Sequence, residues 1–92
     1  MKKYPNIVHA LNTAFNVENG LSEDAAIRLY VRSIEADGQM EALKSELRMA
    51  FADPDLSWTD LLSNDVYDVH YANSESDAYA YAKRILWDPV LS

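Results

Sequence analysis

Two histidines, His9 and His70, are the side chains of this sequence best suited to moving protons near neutral pH. They lie far apart in the chain. Asp68 stands two residues before His70 and could supply the orienting carboxylate of a hydrolytic pair. No GxSxG, HExxH, Walker or GxGxxG pattern accompanies them. With only Gly20 and Gly38, no glycine-rich phosphate loop can form. Asp53, Asp55 and Ser57 open the spacing of a calcium-binding EF-hand loop. Its sixth position holds Trp58 where the turn needs glycine, its twelfth holds Asn64 where a bidentate glutamate is needed, and Pro54 interrupts it. These residues therefore read as turns and caps. The chain has no cysteine, so disulfides, zinc–thiolate sites and thiol nucleophiles are excluded, in keeping with a reducing cytoplasm. The expectation is a protein that is not an enzyme, with no metal and no cofactor.

The carboxylates carry more information. The formal net charge is -7. This disfavours nucleic acid and anionic membrane, which need positive charge to replace counterions, and favours a basic protein partner. Residues 1–48 hold six bases and seven acids, and residues 83–92 sum to +1. Residues 49–82 hold no lysine or arginine and seven acids: Asp53, Asp55, Asp60, Asp65, Asp68, Glu75 and Asp77. The excess thus comes from one continuous third of the chain. The same third contains Tyr67 and Tyr71 in the stretch SNDVYDVHYANSESD, residues 63–77. Tyrosine supplies apolar contact area at low entropic cost, and carboxylates around it pair with Lys or Arg and steer encounter. The plainer reading is that the acids satisfy helix starts and the tyrosines cover core. The candidate partner-binding residues are Asp55, Asp60, Asp65, Tyr67, Asp68, His70, Tyr71, Glu75 and Asp77, with Tyr67 and Tyr71 filling pockets on the partner.

The elements that must position these residues read as helices joined by short turns. At 92 residues, 49% hydrophobic and 25% charged, the chain suits one globular domain. No apolar run is long enough to span a membrane. Lys2 and Lys3 resemble the start of a signal peptide, but Asn6, His9, Asn12 and Asn16 break the apolar segment that would have to follow. Pro5 suits a first helical turn, with Ile7, Val8, Leu11, Ala14 and Phe15 as its stripe. Ser22 caps a second helix bearing Ile27, Tyr30, Val31 and Ile34, and Gly38 closes it. Met40, Leu43, Leu47, Ala50 and Phe51 share one face of a third, stopped at Asp53-Pro54. Ser57 caps a short fourth helix with Trp58, Leu61 and Leu62. Ser74, with Asp77 three residues later, starts the last, whose core face is Ala78, Ala82, Ile85 and Leu86 and whose end is Asp88-Pro89. Both tryptophans, Trp58 and Trp87, read as structural.

Between the last two helices, VYDVHY (residues 66–71) alternates with period two. Tyr67, Val69 and Tyr71 face one way, and Val66, Asp68 and His70 the other. No second strand is evident to pair with it, so an extended connector is expected. The fold class is all-α: a compact single-domain bundle of about five helices, spanning residues 1–92, with that connector before the last helix.

The run DPDLSWTDLLSNDVYDVHYANSESDAYAYAKRILWDPV, residues 53–90, resembles the C-terminal part of immunity proteins from bacterial contact-dependent growth inhibition systems (CdiI-like). The resemblance lies in the SWTDLL helix, the acidic tyrosine-bearing connector and the closing helix ending AKRILWDP. It implies a cytoplasmic protein that binds and neutralises a cognate toxin domain, the toxic C-terminal domain of a CdiA-type effector, often a nuclease. A nuclease site is basic because its substrate is polyanionic, so an acidic inhibitor would fit it. The alternative is a small acidic regulatory or adaptor module for protein–protein interaction.

Overall fold

The computed structural model describes residues 4–91; Lys2 and Lys3 lie outside that range. Its helices begin where the capping residues are. Ser22 Oγ accepts the Ala25 N–H at 3.2 Å at the start of α2 (Glu23–Ala36). Ser57 Oγ accepts the Asp60 N–H at 3.3 Å at α4 (Trp58–Leu62), and Ser74 Oγ accepts the Asp77 N–H at 3.1 Å at α5 (Glu75–Ala82). Each bond satisfies one of the donors that a helix start leaves without an intrahelical partner. Gly38, at φ 68°, lets the chain leave α2 and enter α3 (Met40–Phe51) within three residues.

The first helix, α1 (Pro5–Thr13), carries proline in its first turn and has no cap from the preceding side chain. That residue, Tyr4, sits at φ 57°, a left-handed conformation unusual for a tyrosine. Its buried ring and a 2.9 Å hydrogen bond from its hydroxyl to Asp53 Oδ2 hold it there. The cap comes from another helix. Glu46 on α3 accepts the N–H groups of Asn6 and Ile7, with Oε1 at 2.9 and 3.2 Å. A short 3₁₀ turn, Val17–Asn19, then leads through Gly20 at φ 67° to α2.

α1 packs on α3, α2 packs on α3 and on the last helix, and α4 packs on α5. Ile7, Leu11, Leu43, Leu47, Leu62, Ile85 and Leu86 meet with no exposed surface. Trp58 is core and Trp87 half-buried, and both approach Phe51, with ring centroids 4.6 and 5.3 Å away. No buried side-chain nitrogen or oxygen among the described residues lacks a hydrogen bond. The described residues contain no strand, only an isolated bridge between Ser63 and Asp68. No helix among them is long and apolar enough to cross a membrane. The all-α bundle with an extended connector is thus the observed architecture.

One boundary differs from expectation. Asp88-Pro89 does not end the last helix. α5 passes through a π-helical turn, Lys83–Trp87, into α6 (Asp88–Leu91), with the Asp88 N–H bonded to the carbonyl of Lys83 five residues back. In a regular helix the ring of Pro89 would strike the carbonyl of Ile85. Ile85 lies inside the widened turn, where the register shifts by one residue and the proline is accommodated. On the core side, the buried Tyr30 hydroxyl donates to the Leu86 carbonyl in that turn at 2.8 Å.

Candidate protein-binding surface

The connector between α4 and α5 is irregular but firmly tied. Asn64 Oδ1 accepts the N–H groups of Val66 and Tyr67 at 2.9 and 3.2 Å, an Asx-type turn, and Asn64 Nδ2 donates to the Asp60 carbonyl at 2.8 Å. The Leu62 carbonyl accepts from Val69 and His70 at 2.7 and 3.1 Å, and the Asp68 carbonyl accepts from Val17 at 2.8 Å. Side-chain alternation follows the sequence pattern from 66 to 69: Tyr67 and Val69 are buried, while Val66 and Asp68 face solvent.

At 70 and 71 the alternation reverses. His70 turns inward and stacks on Tyr81 of α5, with ring centroids 4.0 Å apart and planes within 6°. Tyr71 turns outward and is 81% exposed. Tyr67, expected to fill a pocket on a partner, is 5% exposed and cannot do so. Its burial pushes its hydroxyl pKa up, against the hydrogen bond from Asn64 that lowers it. Tyr67 belongs to the buried hydrophobic cluster that also holds Leu62 of α4 and Ala78 and Ala82 of α5.

Tyr71 stands between two hollows. One, of about 330 Å³, is bounded by Thr59, Asp60, Ser63 and Ala72; the other, of about 440 Å³, includes His70, Asn73, Asp77, Tyr81 and Arg84. The structure therefore brings Asp60, Tyr71 and Asp77 to one flank. Asp65 and Asp68 are exposed at the far end of the connector, where the Asp68 carbonyl meets Val17, together with Val66 at 68% exposure. Asp55 is exposed in the turn before α4, where its N–H bonds to Asp53 Oδ1 at 2.9 Å.

Glu75 has a role the sequence did not reveal. Its Oε1 accepts the Trp58 N–H at 2.8 Å, and its Oε2 accepts the Thr59 N–H at 3.2 Å, the Ser57 hydroxyl at 2.9 Å and the Thr59 hydroxyl. It caps α4 from the start of α5. The Thr59 hydroxyl first, and then the Trp58, Ser57 and Thr59 bonds together, hold its pKa below the ordinary carboxylate value, against a smaller opposing effect of desolvation. Glu46 and Glu75 thus do the same work at two helix starts. Neither is adjacent in sequence to the helix it caps, so capping patterns, which are local, do not find them.

Ion pairs among the described residues join Lys44 to Glu41, Lys83 to Asp88 and Arg84 to Glu23. None involves Asp55, Asp60, Asp65, Asp68, Glu75 or Asp77. Arg84 lines the second of these hollows, 5.0 Å from the Tyr81 ring centroid and paired with Glu23 at 2.9 Å. No hydrogen bond among the described residues joins His70 to Asp68, and no group of three or more His, Asp or Glu side chains is placed to hold a metal ion. Comparison of the chain with protein-family models, curated proteins and solved structures finds no match.

Proposed function

We propose that this chain is an immunity protein, binding a basic bacterial toxin domain of the nuclease class one to one through the flank that carries Asp60, Tyr71 and Asp77. One observation carries the reading: Tyr71 projects, 81% exposed, between two carboxylate-bearing hollows, directly after His70, whose N–H bonds to the Leu62 carbonyl. An aromatic ring held out in this way costs little entropy to dock. Asp60 and Asp77 on the flank, without ion-pair partners among the described residues, supply the field that draws a cationic surface, and Asp65 and Asp68 extend it along the connector. The described fold measures 32 × 29 × 28 Å, against a screening length of about 8 Å at physiological salt, so charges on one flank act together and those on the far side contribute little.

The test is to identify a toxin domain encoded beside this chain's gene and to co-express the two; a gene neighbourhood without one contradicts the reading. The wild-type chain should restore growth and elute with the toxin as a 1:1 complex. Tyr71→Ala should weaken the complex by about 30-fold or more, as for an aromatic hot spot. Failure of the wild-type chain either to bind or to protect contradicts the reading.

A further inference from the structure

Next to this flank lies a third hollow, of about 410 Å³, with a different lining. Phe51, Trp58 and Tyr79 form its aromatic side. The Phe51 ring is 4.6 Å from Trp58 and 5.2 Å from Tyr79 between centroids, and Trp58 and Tyr79 meet at 6.5 Å with planes at 87°. Tyr79 is 41% exposed although it belongs to this packed cluster. Asp53 and Glu75 stand at the margin, and among the described residues no lysine or arginine lines the hollow.

We infer that this hollow receives an arginine side chain of the basic partner, an inference that rests on the inhibitor reading above. The chemistry is complementary at each level. The exposed ring, Tyr79, held by its packing against Phe51 and Trp58, attracts a guanidinium through its quadrupole, and the flat guanidinium lies against a ring where an ammonium would not. The carboxylate of Glu75 keeps its negative charge while its oxygens cap α4, and no ion pair among the described residues neutralises it. It therefore adds attraction without having to leave its own hydrogen bonds. The ring cluster is already packed, so little side-chain freedom is lost when the guest enters.

The probe is the peptide acetyl-Ala-Arg-Ala-amide, with the citrulline peptide, neutral and nearly isosteric, as its control. Each is titrated into the free protein while the ring resonances of Phe51 and Tyr79 and the Trp58 indole N–H are followed by NMR. The arginine peptide should shift these resonances saturably and the citrulline peptide should not. Ser76→Lys, which places an ammonium at the exposed rim without altering the core, should abolish the shifts and weaken binding of the toxin domain about tenfold. Equal shifts from both peptides, or shifts confined to residues around Tyr71, would overturn the assignment. Full-strength toxin binding by Ser76→Lys would also overturn it while leaving the inhibitor reading intact. The peptide arm needs no partner, so its outcome stands whether or not the toxin domain binds.

Discussion

The Glu75 carboxylate at the start of α5 accepts the Trp58 backbone N–H at the start of α4, at 2.8 Å. The contact joins two helices separated by the whole connector. It orients α4, whose Trp58 and Leu62 enter the core, and it closes the segment that presents Tyr71. A residue that composition places on a contact surface is here part of the scaffold beneath it.

Acid should weaken that scaffold. The folded-state pKa of Glu75 lies below its unfolded value of 4.5. Its contribution to stability is therefore fully present above pH 4.5 and is lost as the pH falls through the lower folded value. Wild type should melt above Glu75→Gln at pH 7, and the gap should narrow as the pH falls below 4.5 and the wild-type carboxylate is protonated. Thermal denaturation followed by circular dichroism measures this; a gap unchanged with pH would show that the carboxylate charge is not what caps α4.

The parallel cap is separable from it. Glu46→Ala removes the acceptor for the Asn6 and Ile7 N–H groups and should cost about 1–2 kcal/mol, as loss of a helix cap does. Glu41→Ala, which removes only an exposed 3.8 Å pair with Lys44, should cost about 0.5 kcal/mol or less. Urea denaturation of the two variants compares them directly.

The widened turn has its own probe. Tyr30→Phe keeps the ring and deletes the hydroxyl that satisfies the Leu86 carbonyl in a buried place. The loss should be about 1–2 kcal/mol, seen as a fall in Tm of about 4–8 °C per kcal/mol for a domain of this size. No change in Tm would mean that water or another donor reaches that carbonyl.

Tyr67 and Tyr71, four residues apart, should behave as opposites. Tyr67→Ala opens a cavity and should cost about 3 kcal/mol or more. Tyr71→Ala should leave stability within about 0.5 kcal/mol. Chemical denaturation of both variants checks the burial, and only Tyr71→Ala is then suitable for binding measurements.

The helices were legible because their signals are local: Ser22, Ser57 and Ser74 cap where the sequence places them, Gly38 closes α2, and the apolar stripes match the buried residues. What was not legible depends on partners distant in the chain. Period two places Tyr67 and Tyr71 on one face, but the stacking of His70 on Tyr81 reverses the phase between them. Glu46 and Glu75 read as surface acids until the helices they cap are seen beside them. Asp88-Pro89 reads as a stop because the rule for proline assumes a regular turn before it, and a π-helical turn precedes it here. Of the candidate surface, Asp60, Tyr71 and Asp77 meet on one flank; Asp65 and Asp68 extend along the connector, and Tyr67 belongs to the core.

The anionic flank as a guide for a basic partner is tested most directly by the association rate with the toxin domain, measured by stopped flow as salt rises from about 50 to 500 mM, a range over which the screening length shrinks several-fold. The wild-type rate should fall at least tenfold, and the Asp60→Lys/Asp77→Lys double variant should start slower and change little. A wild-type rate that does not respond to salt, or a double variant that associates as fast as wild type, would contradict the account.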